Sequence, residues 1–192
     1  MSDIEHNLDQ ALDDVRASSA GGSPFLLSYG LTFLITGLLS FVLPISTVAL
    51  IAMFQGAVAL PIALFLERRL GSKRMESNNP LRSLSGQMAV SQALGLPALI
   101  AAYSLDPTIV PLVLASLGGV HFLPYSWLHR SRIYLYLAAA VSLGAFLIQL
   151  LLPSNEFTII LLFVAVIYWV AAIPLYRNAA RLTVGSTTKM QV

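Results

Sequence analysis

The chain has 192 residues, of which 57% are hydrophobic and only 10% are charged, and its formal net charge is +2. A soluble domain carries roughly 25% charged residues, so this composition excludes an ordinary soluble domain. Cysteine is absent, which excludes disulfides, thiol catalysis and cysteine-ligated metals.

Residues 1–23 form an acidic segment ahead of the first long apolar stretch. Four of its apolar residues recur at helical spacing and predict an amphipathic helix. These residues are Ile4, Leu8, Leu12 and Val15. Five acidic residues against the single Arg16 are unlike a signal peptide, which begins basic and then turns apolar. We expect this helix to lie in the cytoplasm and to dock on basic loops of the same chain.

The stretches without charged residues are long enough for six transmembrane helices. Residues 17–66 hold two spans, and each of four later stretches holds one, because crossing about 30 Å of hydrocarbon takes about 20 helical residues. The predicted fold is an all-α polytopic membrane protein with a bundle over residues 24–176 and a cytoplasmic tail over residues 177–192. The predicted spans, arranged as three hairpins, are residues 24–43, 46–66, 84–105, 108–128, 133–152 and 157–176.

All eleven Lys and Arg residues fall on one side of the membrane once these spans are drawn. Basic residues near span ends are retained in the cytoplasm, which predicts cytoplasmic termini in a multi-pass protein of the inner (plasma) membrane. The strongest topology signal is the group Arg68, Arg69, Lys73 and Arg74. Because the basic residues flank spans, they predict orientation and lipid contact rather than nucleic-acid binding.

The connection over residues 67–82 is the only internal loop long enough for structure of its own. It is the predicted contact site for a cytosolic protein partner.

Pro61, Pro124 and Pro174 each lie near the cytoplasmic end of an even-numbered span, five residues after a recurring residue pair. This pattern fits repeated hairpins and equally the general tolerance of membrane helices for proline and glycine.

A polar stripe runs along the first span. Ser28, Thr32, Thr36 and Ser40 recur every four residues and therefore share one face of a helix. Small and hydroxyl-bearing residues admit a close neighbouring helix and can bond across the interface. The stripe favours helix packing, with a polar solute path as the alternative.

Amide and imidazole side chains fall inside the later spans, where polar groups usually face the bundle interior. Convergence of Gln55, Gln87, Gln92 and His121 would form a neutral polar cavity that opens toward the cytoplasm. The alternative is that each group bonds separately to a neighbouring helix. No Asp or Glu falls in the middle of a predicted span, which argues against proton-driven transport.

Other residues are predicted to lie at the cytoplasmic membrane surface. We interpret His129, Arg130 and Arg132 as a rim that contacts anionic head groups. Five aromatic residues at the same level are interpreted as an interfacial belt. They are Tyr125, Trp127, Tyr134, Tyr136 and Tyr176.

Signatures of catalysis are absent from the sequence. It has no phosphate-binding glycine loop and no GxSxG or HExxH motif. The three histidines, His6, His121 and His129, lie in different segments without paired metal-ligand spacing. We therefore expect a non-enzymatic protein without a metal or other cofactor.

Three short motifs carry a family resemblance: residues 21–24 (GGSP), 79–81 (NPL) and 121–125 (HFLPY). They resemble a family of small bacterial six-span membrane proteins of unknown function. The resemblance implies a six-helix membrane bundle and supplies no activity.

The sequence leaves two functions open. The first is binding or passage of a small neutral or amphipathic solute through the polar cavity. The second is a membrane scaffold or regulatory subunit that engages a protein partner through residues 1–23 and 67–82. A six-helix bundle in the lipid bilayer is small, so a homodimer is compatible with either function.

Overall fold

The computed structural model describes residues 3–71 and 74–189 and, within them, all side chains except those of residues 3–6, 89 and 182–189. The described residues form nine α-helices and no β-strand. The helices are α1 (Asp3–Ser18), α2 (Ser23–Leu39), α3 (Ile45–Phe54), α4 (Gly56–Leu70), α5 (Arg82–Ser91), α6 (Leu96–Leu105), α7 (Val110–Leu128), α8 (Arg132–Leu151) and α9 (Glu156–Lys189). Short 3-10 turns precede α2, α6 and α7.

Five helical stretches are long and apolar enough to cross a membrane, and the bent pair α3 and α4 adds a sixth if it forms one span. The five are Ala20–Leu39, Arg82–Leu105, Pro107–Leu128, Arg132–Leu151 and Glu156–Arg181. The prediction of an all-α polytopic membrane protein is confirmed. Because successive spans run in opposite directions, the basic residues that flank them meet at one end of the bundle, called here the basic end.

The pair α3 and α4 bends by 40° at Gln55. The amides of Val58 and Ala59 both donate to the Gln55 carbonyl, at 3.0 and 2.9 Å, so a tightened turn replaces the regular helical ladder at the bend. Gln55 is only 7% exposed. The bend therefore places an amide side chain in the interior of the bundle.

Glycines permit the close contact of α2 with α9. A Cβ atom on Gly30 would lie 2.5 Å from Trp169 Nε1, and one on Gly37 would lie 2.7 Å from Leu162 Cδ2. Neither position has room for a larger side chain unless the side chain of Trp169 or Leu162 is displaced. Small residues thus set the distance between the two helices, as is usual where membrane helices pack.

Helix α1 lies across the basic end. Its residues Leu12 and Val15 are buried, and Asp9 forms an ion pair with Arg130. The apolar contacts of α1 belong to a small cluster at this end. Its buried members are Ala11, Leu12, Val15, Leu81, Met88 and Leu128. The amphipathic helix therefore docks on loops of its own chain, while the side chain of Ile4 lies outside the described residues.

Two elements differ in extent from the predicted spans. Helix α9 continues without a break from the last span to Lys189, and residues 190–192 lie outside the described residues. The third span consists of α5, a 3-10 turn over Gln92–Gly95, and α6. Pro97 lacks the amide hydrogen that a continuous α-helix would use there, which accounts for the interruption.

Candidate functional site

Two adjoining cavities lie inside the bundle. The central cavity, of about 390 Å³, surrounds the bend at Gln55. The basic-end cavity, of about 100 Å³, reaches Ser19 and Gly22. Both are lined by Tyr29, Leu60, Gln92 and Tyr168. The shared residues show that the two cavities adjoin each other.

The central cavity opens sideways between α4 and α5. Leu60 of α4 and Val90 of α5 line it and are 39% and 66% exposed. Among the described residues, helices α4 and α5 have no extensive contact with each other, so the cavity is open between them at Leu60 and Val90. Since the exposed apolar surface of a transmembrane bundle faces lipid, this opening connects the site with the bilayer.

Gln55 provides unused hydrogen-bonding capacity at the central cavity. Its side-chain nitrogen and oxygen are both buried, and neither has a hydrogen-bond partner among the described residues. An amide offers two donor hydrogens and an acceptor oxygen. A molecule in the central cavity could use all of them.

An aromatic wall extends from the central cavity to the basic end. Phe33 and Tyr168 meet edge to face, with ring centroids 5.6 Å apart. Tyr168 meets Phe122 in the same way at 5.4 Å, and Phe122 lies 6.0 Å from Tyr134. The rings of Tyr125 and Tyr134 are 5.7 Å apart. The wall gives the site an apolar surface with a negative electrostatic potential on the ring faces.

His129 closes the basic end of this wall. Its imidazole stacks against Tyr125, with centroids 5.7 Å apart, and against Tyr134 at 5.2 Å. Burial, and secondarily the positive charge of Arg16, lowers the pKa of His129 to about 3. Its Nδ1 atom is buried without a hydrogen-bond partner among the described residues. His129 is thus a neutral ring of the cavity wall and not part of a charged rim, which corrects the interpretation from sequence.

Tyr134 also differs from the interfacial belt predicted from sequence. Its hydroxyl donates to the Gly21 carbonyl at 2.7 Å, and the ring is buried. Gly21 and Gly22 have φ angles of +65° and +78°, a left-handed conformation that glycine adopts without strain. This turn covers Tyr134, while Trp127, Tyr136 and Tyr176 remain exposed as belt residues would be.

Glu67 is the acidic residue on the cavity walls. It is half-buried in the last turn of α4 and lines the basic-end cavity. The sequence predicts that it lies in the connection over residues 67–82, just after the second span. The structure continues α4 to Leu70, which brings the carboxylate back against the bundle.

The four residues of the predicted polar cavity are divided between the two cavities. Gln55 and Gln92 line the central cavity, and Gln92 and His121 line the basic-end cavity. The His121 ring also lies 3.4 Å, Nδ1 to Oγ, from the hydroxyl of Ser91. Gln87 lines neither cavity; it is exposed on α5, where its amide bonds to Ser83 at 3.4 Å.

The polar stripe of the first span faces other helices. Ser28 Oγ donates to the Ala59 carbonyl of α4 at 2.6 Å, and Thr32 bonds within its own helix. Thr36 is buried. A hydrogen bond of 2.7 Å joins the hydroxyls of Ser40 and Thr158, and Thr158 belongs to α9. None of the four stripe residues lines either of the two cavities described here, which favours packing over a solute path.

The predicted topology residues lie at the basic end of α4 and in the connection that follows. Arg68, Arg69 and Arg74 are exposed, and the Arg69 guanidinium lies 5.3 Å from the centre of the Phe65 ring. Lys73 lies outside the described residues. In the described part of the chain, no group of three His, Asp or Glu side chains is arranged to hold a metal ion.

The apolar helices and their arrangement define the class, an all-α multi-pass membrane protein. Within that class the chain belongs to the family of unknown function DUF7010, which it matches over residues 8–178. The resemblance to an uncharacterised family is therefore confirmed. No curated protein and no solved structure matches the chain.

Proposed function

We propose that the protein binds a small amphipathic solute in the site formed by the two adjoining cavities, without catalysing a reaction on it. The observation that carries this proposal is the buried Gln55 amide on the wall of a cavity of about 390 Å³, whose two polar atoms have no hydrogen-bond partner among the described residues. Burying a polar group without a partner costs about 1–3 kcal/mol. A solute that supplies a donor or an acceptor would remove that cost.

The walls fit a molecule with an apolar body. Phe33, Leu96 and Leu114 line the central cavity, and ligand sites are typically apolar with a few placed polar groups. The opening between α4 and α5 gives such a molecule a route from the bilayer. This supports binding from the lipid phase, with the polar part of the solute directed to Gln55 or to the basic end.

The orientation of the site follows from the positive-inside rule. We propose that the basic end faces the cytoplasm and that the membrane is the plasma membrane, because the basic residues all flank spans on that side. The basic-end cavity would then lie in the cytoplasmic half of the bilayer. A solute held there would be nearer to the cytoplasm than to the outside.

A scaffold function through the acidic segment and the 67–82 connection has less support. Asn79 of the connection donates to Asp14 and to the Ala11 carbonyl of α1. These two segments therefore bind each other within the chain. Leu12 and Val15 of the apolar face of α1 are buried against the same chain, while Leu8 is 39% exposed.

Binding can be tested with three probes that share one apolar body and differ in charge: phenylbutanol, phenylbutylamine and phenylbutyrate. Calorimetric titration into nanodiscs of zwitterionic lipid, corrected with empty nanodiscs, measures saturable binding. We expect phenylbutanol to bind the wild-type protein and Gln55→Leu to weaken it several-fold, since a buried hydrogen bond contributes about 1 kcal/mol.

Gln149→Leu is the matched control. Gln149 is also an amide with a buried oxygen that lacks a partner among the described residues, but it lines neither of the two cavities. Its replacement should leave phenylbutanol binding unchanged. Absence of saturable binding by all three probes, or equal affinity of the wild-type and Gln55→Leu proteins, would contradict the proposed function.

A further inference from the structure

Glu67 lines the basic-end cavity, and the charge of the neighbouring Arg68 acts on its carboxylate. Among the described residues it has neither a hydrogen bond nor an ion pair. The two arginines that follow it in the chain, Arg68 and Arg69, are exposed, and Arg69 lies over the Phe65 ring. The negative charge of Glu67 therefore remains available to a molecule in the site.

A positive charge near the basic-end cavity lies outside its lining, since Arg16 of α1 acts on His129 but does not line the cavity. None of the Lys or Arg residues with described side chains lines either cavity. The buried His129 at the basic end is neutral, because its pKa is lowered to about 3. Charge alone thus favours a cation over an anion or a neutral molecule at this end of the site.

The aromatic lining favours the same charge. Six aromatic rings besides the two imidazoles line the basic-end cavity, and they are Phe25, Tyr29, Phe122, Tyr125, Tyr134 and Tyr168. Ring faces attract ammonium groups, and the attraction grows when water is excluded. A carboxylate beside several rings is a chemical environment suited to an organic ammonium group, whose weakly hydrated surface contacts the rings while its charge faces the carboxylate.

We infer that the solute is a small amphipathic amine, with its ammonium group between Glu67 and the aromatic rings and its apolar part in the central cavity. This inference rests on the proposed function, since it specifies the class of molecule bound there. The opening between α4 and α5 admits the apolar part from lipid. Glu67 and the rings then hold the charged end near the membrane surface, where an amphipathic cation already prefers to lie.

The three probes separate the charge preference from binding itself. We expect the wild-type protein to bind phenylbutylamine about tenfold more tightly than phenylbutanol, the gain expected for one partly screened charge pair, and to bind phenylbutyrate more weakly than either. Glu67→Gln should abolish the preference for the amine over phenylbutanol. Zwitterionic lipid in the nanodiscs prevents the amine from accumulating on an anionic membrane surface.

Glu156→Gln is the matched control, because it removes the same charge at the opposite end of the bundle. Glu156 lines neither of the two cavities. It should retain the full amine preference. If phenylbutanol binds in a Gln55-dependent manner but phenylbutylamine binds no more tightly, the inference is wrong and the proposed function stands. If the amine preference survives Glu67→Gln, Glu67 is not the counter-ion and the inference is also overturned. If none of the three probes binds, both the inference and the proposed function are wrong.

Discussion

The side-chain amide of Asn79 donates a hydrogen bond of 2.8 Å to the carboxylate of Asp14 and so joins the α4–α5 connection to α1. The same nitrogen donates to the Ala11 carbonyl at 3.0 Å, and the Asn79 side-chain oxygen accepts from the Leu81 amide at 2.9 Å. Asn79 is buried. Asn79 therefore joins the two polar segments that cover the basic end, together with the Glu76 amide, which also donates to Asp14 at 3.0 Å.

Replacing Asn79 with alanine should release α1 from the basic end. The change removes three hydrogen bonds and leaves buried groups unpaired, at about 1–3 kcal/mol for each unsatisfied group. Hydrogen–deuterium exchange of the α1 amides measures the effect and should accelerate by at least about tenfold. Asn78→Ala, at the exposed neighbouring position, is the control, and equal exchange in both variants would show that Asn79 does not hold α1.

Replacing Gly22 with alanine should destabilise the whole protein. The φ angle of +78° is unfavourable for a residue with a side chain, and the added Cβ would overlap the Tyr134 hydroxyl. We expect a loss of about 2 kcal/mol or more in the free energy of unfolding. Tryptophan fluorescence during thermal unfolding in detergent measures it.

Gly86 offers the matched control for this substitution. It lies in α5, and no atom comes within 4 Å of a Cβ built on it. Gly86→Ala should raise stability slightly, since alanine is favoured over glycine in a helix by about 1 kcal/mol. Similar melting temperatures for the two variants would argue against the tight turn at Gly22.

The buried His129 predicts a loss of stability at acid pH. Its pKa is about 3 in the folded protein against an ordinary value of 6.5, so the unfolded chain binds more protons between these values. The free energy of unfolding should therefore fall as the pH is lowered through this window, by up to about 1.4 kcal/mol per pH unit. Above about pH 6.5 the contribution is constant.

The variant His129→Phe isolates this effect, because it keeps an aromatic ring between Tyr125 and Tyr134 and removes the titrating group. Thermal unfolding followed between about pH 4 and about pH 7 should show a shallower pH dependence than that of the wild-type protein. The difference between the two slopes is the measurement, since carboxylates contribute equally to both. Identical slopes would mean that His129 has the same pKa in the folded and in the unfolded protein.

Replacing Ser28 with alanine separates packing from solute passage. The lost hydrogen bond to Ala59 joins α2 to α4 and should reduce the free energy of unfolding by about 1 kcal/mol. Phenylbutanol affinity should not change, because Ser28 lines neither cavity. Ser104→Ala is the control, since the Ser104 hydroxyl bonds to its own helix. Loss of phenylbutanol binding in Ser28→Ala would instead support a solute path along the polar stripe.

In a variant with glutamine at four positions, a fraction of the molecules should insert with the opposite membrane orientation. The positions are those of Arg68, Arg69, Lys73 and Arg74, which dominate the positive-inside signal. The chain has no cysteine, so Asn155→Cys in the exposed turn before α9 is a single labelling site. A membrane-impermeant maleimide added to intact cells should label it fully with the basic residues present and less after neutralisation. Unchanged labelling would count against the proposed orientation.

The sequence predicts the spans well because long uncharged stretches have few alternatives in a membrane protein. The break of the third span at Pro97 and the extension of α4 past Glu67 depend on local geometry that hydrophobicity does not report. The extension is decisive for the site, because Glu67, which the sequence places in a loop, then lines a cavity.

The sequence does not specify which polar residues within the spans face the interior. Gln55 and Gln87 have the same side chain and both fall in predicted spans, yet Gln55 is buried at a bend and Gln87 is exposed on α5. Whether an amide faces a cavity depends on which helices pack against it, and one sequence does not specify that. His129 and Tyr134 look like surface residues in sequence and are buried because the glycine turn and α1 cover them.

The most direct test of the central claim, that Gln55 lines a ligand-binding cavity, is a crystal structure determined from crystals grown in a lipidic phase with phenylbutanol. The account predicts probe density in the central cavity, with the probe hydroxyl within hydrogen-bonding distance of the Gln55 amide. A central cavity filled by protein side chains, with the Gln55 amide bonded to a neighbouring helix and no probe density beside it, would contradict the account.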